Sequence, residues 1–153
     1  MKLQRDLREF VELLNSQAID YLIAGGHAVA YHGHPRFTGD IDFFVRPTLA
    51  NGARIIDALR LFGFEELALS AGDFAKAGSI VQLGRPPNRI DLLTSISGVD
   101  FGEAWALLDG LPVSFLSREA LIKNKQASGR TKDLADVARL LARQRRPEKD
   151  DDD

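Results

Sequence analysis

Residues 39–45 read GDIDFFV, with two aspartates one residue apart in a run whose other members after the glycine are apolar. An apolar run of this length, closed by Pro47, reads as a buried strand. A strand sends residues two apart to the same face. Asp40 and Asp42 therefore project together, while Ile41 and Phe43 enter the opposite layer. Two neighbouring carboxylates repel, and burial makes the charged forms costly unless a cation or donor compensates them. A divalent cation meets that need directly, and hard oxygen ligands suit Mg²⁺. The plain structural alternative has Asp40 capping the turn after Gly39 and Asp42 paired with Arg36 or Arg46.

The surrounding pattern predicts the order α-β-α-β-α-β-β-β-α-β-α-α. Leu3, Leu7, Phe10, Val11 and Leu14 fall at helical spacing, giving an amphipathic first helix. YLIA (21–24) reads as a short buried strand stopped by Gly25-Gly26; HAVAYHG (27–33) fits a brief helix, and HGHPR is turn material. Ile55, Ile56, Leu59 and Phe62 mark a helix ending at Gly63. EELAL (65–69) reads as a strand. SIVQL (79–83) and RIDLL (89–93) read as a hairpin across the turn GRPPN. FGEAWALLDG (101–110) reads as a helix and PVSFL (112–116) as a strand. Ser117 caps a helix to about Ala127. Thr131 opens the last helix, with Leu134, Val137, Ala138 and Leu141 as its expected buried face. The expectation is an α/β (α+β) fold: a small mixed β-sheet flanked by helices, with a C-terminal helical pair.

At 153 residues and 44% hydrophobic content, the chain suits one domain with a sizeable core. We expect that domain over 1–146, followed by an acidic disordered tail over 147–153. No apolar run approaches the roughly 20 residues of a membrane span, so no membrane association is expected. The N-terminal residues lack the apolar core of a secretory signal. Cysteine is absent, which excludes disulfide and thiol chemistry and fits a cytoplasmic location. The formal charge of −2 hides an uneven distribution: without the four aspartates at 150–153, 18 acids face 20 bases. Nine Lys or Arg against three acids lie between Arg118 and Arg146. Such a region either faces a polyanion or is simply solvated.

Two further features bear on the aspartates. Asp91 lies in RIDLL, a second apolar strand that the hairpin could bring beside residues 40–45. Three carboxylates from two strands would suit two metal ions, about 3.5–4 Å apart in such centres. Gly25-Gly26 follows a strand and opens a helix, so its backbone N–H groups could approach phosphate oxygens. It matches neither the dinucleotide fingerprint nor the P-loop. His27, His32 and His34 fall within eight residues, but with the first two five apart and no cysteine, the spacing disfavours zinc.

Taken together, IAGGHAVAYHGHPRFTGDIDFFV resembles the signature of the nucleotidyltransferase superfamily, the polymerase-beta-like fold. The run R-x-T-x-D-I-D (Arg36, Thr38, Asp40, Asp42) looks like the small bacterial abortive-infection nucleotidyltransferase-like toxins. NKQASGRTKDLADVARL (124–140) is similar to their C-terminal pattern of a Lys followed by R-x-K-D-x-x-D. The resemblance implies that Asp40, Asp42 and Asp91 are catalytic and bind Mg²⁺, two ions in all. It implies that Gly25, Gly26, Arg36, Thr38, Lys125 and Lys132 hold a nucleoside triphosphate (NTP). His27 stands where many members have serine; a histidine there either donates to phosphate through nitrogen or obstructs the site. The implied activity moves a nucleoside monophosphate to an acceptor hydroxyl on RNA, tRNA or protein, within a toxin–antitoxin or phage-defence system. An antitoxin partner or a homodimer is implied with it. The alternatives are a small-molecule nucleotidyltransferase of the antibiotic-modifying kind, and a non-catalytic module binding nucleotide or a partner.

Overall fold

The computed structural model describes residues 5–33, 39–64, 68–85, 89–105 and 114–145. Four strands form one mixed sheet: β1 (Tyr21–Ala24), β2 (Asp40–Val45), β3 (Ile80–Leu83) and β4 (Arg89–Leu93), in the spatial order β1-β2-β4-β3. β1 runs antiparallel to β2, β2 parallel to β4, and β3 antiparallel to β4 as the expected hairpin. Among the described residues six α-helices accompany them: α1 (Arg5–Ser16), α2 (Gly25–Tyr31), α3 (Leu49–Phe62), α4 (Phe101–Trp105), α5 (Arg118–Ser128) and α6 (Thr131–Arg145).

Strand alternation divides the apolar residues into two cores, one on each face of the sheet. On one face Tyr21, Ile23, Ile41, Phe43, Val45, Ile90 and Leu92 meet Leu7, Phe10, Val11 and Leu14 of α1 and Ile55, Ala58 and Leu59 of α3. On the other, Leu22, Ala24 and Phe44 meet Ala28 and Val29 of α2, Phe101 and Ala104 of α4, Ala120 and Leu121 of α5, and Leu140 of α6. Asp40 and Asp42 share this second face with Phe44, as the two-residue period requires. Helix signals act where the sequence places them. Thr48 Oγ1 accepts from Asn51 N at 3.2 Å to start α3, which ends at Gly63 with φ 111°. Ser117 Oγ accepts from Ala120 N at 3.1 Å to start α5.

Two expectations need correction. Ala68 and Leu69 of the expected strand EELAL lie in no strand, and 65–67 fall outside the described residues. The buried face of α6 is Asp133, Asp136, Val137 and Leu140, whereas Leu134 is 51% exposed and Ala138 is exposed. The true stripe has the same spacing as the expected one, displaced by one residue. The acids can turn inward because Lys125 of α5 meets them there. Of PVSFL, residues 114–116 run beside β1, with Ile23 N donating to Ser114 O at 2.7 Å and Leu116 N to Ile23 O at 2.9 Å. Pro112 and Val113 fall outside the described residues, as do 106–110 of the expected fourth helix and 146–153, including the expected acidic tail. No described helix is long and apolar enough to cross a membrane.

Candidate metal centre

Parallel pairing of β2 with β4 sets Asp42 opposite Asp91 and Asp40 opposite Arg89. Directly paired residues share a face, so three carboxylates from two strands converge. One carboxylate oxygen from each of Asp40, Asp42 and Asp91 lies within 4.8 Å of the other two. Asp91 is buried, whereas Asp40 and Asp42 are half-buried.

The Gly25 turn closes the site from the β1 side. Ala24 is the β1 partner of Asp42, so the chain enters α2 directly beside that carboxylate. Gly25 has φ +62°, and a Cβ built on it would stand 2.2 Å from Asp42 Oδ2. Both the left-handed backbone and the close approach of Asp42 favour glycine. This gives Gly25 a steric reason tied to Asp42. Gly26 follows in the first turn of α2, half-buried.

Electrostatics set Asp42 apart. Burial, reinforced by the charges of Asp40 and Asp91, pushes its carboxyl up to about 7, and hydrogen bonds to both neighbours favour its protonated form. His27 gives little relief. Burial holds its imidazole below the ordinary histidine value, against the opposing pull of Asp40, so it is largely neutral at pH 7. Its Nδ1 is buried without a hydrogen-bond partner among the described residues.

Among the described residues, Arg89 is a cation that meets these acids, and it was not among the site residues expected from the sequence. Its Nε donates to Asp91 Oδ1 at 3.0 Å, and its Nη2 donates to Asp91 Oδ2 at 3.1 Å and to Asp40 Oδ2 at 2.9 Å. The signal was available: Arg89 precedes Asp91 by two in a strand and so must share its face. Arg46, one expected partner for Asp42, instead bonds Asp20 at 2.7 Å and lies over the rings of Phe101 and Trp105. Arg36 and Thr38 fall outside the described residues.

Lys125 lies in a second cluster, between α5 and α6. It is 5% exposed, and its Nζ meets Asp133 Oδ1 at 3.2 Å and Asp136 Oδ2 at 3.3 Å. Burial opposes ionisation of Asp133, but Ser128, Arg130 and Lys125 donate to it and hold its carboxyl well below the usual carboxylate range. Lys125 is thus engaged by two buried acids, whereas Lys132 stands exposed on α6.

Asp40, Asp42 and Asp91 suit a hard divalent cation on two counts. The donors are carboxylate oxygens, and they lie within one cluster. A scan of the chain against protein-family models finds no match, and a search of curated proteins finds none either.

Proposed function

We propose that the chain is an Mg²⁺-dependent nucleotidyltransferase that moves a nucleoside monophosphate from an NTP to an acceptor hydroxyl. The observation that carries this reading is the Asp42–Asp91 register, which gathers three carboxylates beside a glycine turn that opens a helix. The motif resemblance supports it, and so does a small mixed sheet that presents the D-x-D strand and the third aspartate side by side.

Asp40, Asp42 and Asp91 would hold Mg²⁺. When bound, the ion supplies charge stabilisation to the attacking and leaving oxygens. The acceptor oxygen forms its bond to the α-phosphorus, the bond from that phosphorus to the bridging oxygen breaks, and pyrophosphate leaves. Asp91, fixed in the middle of β4, takes the acceptor proton. Gly25 keeps the backbone of the α2 entry against Asp42, so no side chain intrudes where the triphosphate must lie. Exposed Lys123 on α5, Arg130 between α5 and α6, and Lys132 and Arg139 on α6 favour an anionic acceptor, and we place RNA, with tRNA as the first candidate, ahead of protein. A toxin or phage-defence role belongs to this proposal through the resemblance alone.

Incubation with Mg²⁺ and each α-labelled NTP, against total tRNA and total cell protein, tests the reading. Label should enter RNA with wild-type protein, fall at least a hundredfold with Asp42→Asn, and weaken as salt rises. Absence of transfer to every acceptor would contradict it.

A further inference from the structure

Arg89 brings a fixed cation into the cluster that the reading above assigns to metal. Its guanidinium grips both oxygens of Asp91 and bridges to Asp40, in the planar fork geometry that suits arginine. Arg89 therefore already holds three of the six carboxylate oxygens of the triad. A divalent ion entering the cluster must share those oxygens with a positive charge a few ångströms away, and like charges at that range oppose each other strongly. The Arg89 side chain is 31% exposed, which leaves it a path outward from the strand. A triphosphate offers the same fork a second set of anionic oxygens.

We infer that Arg89 is a resident counter-cation that holds down the metal affinity of the triad, and that a bound triphosphate draws it off Asp40 and Asp91. Metal and nucleotide then load together: the triphosphate removes the competitor for the metal's ligands, and by linkage the metal favours the triphosphate equally. The inference rests on the metal reading of the triad. Arg89 acts here as a positioning and gating residue, and its removal has effects of opposite sign on the two ligands. A merely structural role would weaken both.

The test measures Mn²⁺ binding to the full chain by the loss of free-ion electron paramagnetic resonance signal, in wild type, Arg89→Met, Arg89→Gln, Arg89→Lys and Asp42→Asn. Thermal melts first establish which variants are folded, and the glutamine variant serves if the methionine one is not. Arg89→Met or Arg89→Gln should bind Mn²⁺ alone about tenfold tighter than wild type, and Arg89→Lys should stay close to wild type because the charge is kept. At saturating Mn²⁺, the methionine and glutamine variants should bind α,β-methylene-ATP about tenfold more weakly. Equal or weaker Mn²⁺ binding by a folded, charge-removed variant overturns the role of Arg89 and leaves the carboxylate site standing. If wild type and the Arg89 variants bind no Mn²⁺ that Asp42→Asn abolishes, the metal reading fails and this inference falls with it.

Discussion

Asp42 is where the local physics is most unfavourable, with burial and two neighbouring carboxylates all opposing its charge. Because the folded protein holds this proton up to about pH 7 and the unfolded chain releases it near pH 4, ionisation favours unfolding. The contribution is absent below pH 4, erodes stability as pH rises from 4 to 7, and is fully expressed above 7. Melting curves of the metal-free protein across that window should show the decline. Asp42→Asn should flatten it and raise stability at pH 8 by on the order of 2 kcal/mol. Mg²⁺ should raise the wild-type melting temperature and leave that of the variant unchanged. Asp133 has the opposite sign, since its folded carboxyl is held below the usual range. Its stability is present above pH 4 and lost on acidification, so the two limbs do not overlap. Gly25→Ala makes a steric counterpart. The added Cβ meets Asp42 Oδ2 in a left-handed backbone position, and a loss of about 1–3 kcal/mol is expected by denaturant titration, with metal binding impaired. The pairing of aspartates was legible from the two-residue period of one strand. Arg89 obeys the same rule, but its contact with Asp40 depends on the pairing of β4 with β2, which the local pattern does not carry.

At the scale of elements, α5 and α6 show how a buried ion cluster misleads a reading of apolar stripes. Leu134, Val137, Ala138 and Leu141 have good helical spacing, yet the face that turns inward carries Asp133 and Asp136. Lys125 on the neighbouring helix, with Ser128 and Arg130 beside it, accounts for the rotation, and a tertiary partner leaves no mark in the local pattern. The same contacts bear on what Lys125 does. Lys125→Met should deprive two buried carboxylates of their shared cation and cost about 3–5 kcal/mol, measured by denaturant unfolding. Restoring much of that loss with Asp133→Asn and Asp136→Asn would identify the ion cluster as the cause. If Lys125→Met leaves stability unchanged and reduces only triphosphate affinity, Lys125 serves the ligand instead. Elements with a local cause were read correctly: the amphipathic face of α1 at Leu7, Phe10, Val11 and Leu14 (Leu3 falls outside the described residues), the Thr48 and Gly63 ends of α3, the β3–β4 hairpin and the Ser117 cap.

Across the whole molecule, two apolar cores hold the sheet from either side, and the carboxylates occupy the second face beside the entry to α2. The parallel pairing that joins Asp42 to Asp91 was beyond the sequence, because pairing between strands separated by a helix and a hairpin depends on packing of all three layers. Fold class and the identity of the three acids were readable, and their distances and the arginine among them required the sheet. The account stands or falls on whether those acids share a metal with a triphosphate. The most direct measurement is a crystal structure grown with Mn²⁺ and α,β-methylene-ATP, with anomalous scattering used to locate the metal. The account predicts an anomalous peak about 2.1–2.2 Å from oxygens of Asp40, Asp42 and Asp91, bridged to phosphate oxygens beside Gly25. Nucleotide bound elsewhere, or a triad that remains joined to Arg89 without metal at saturating Mn²⁺, would contradict it.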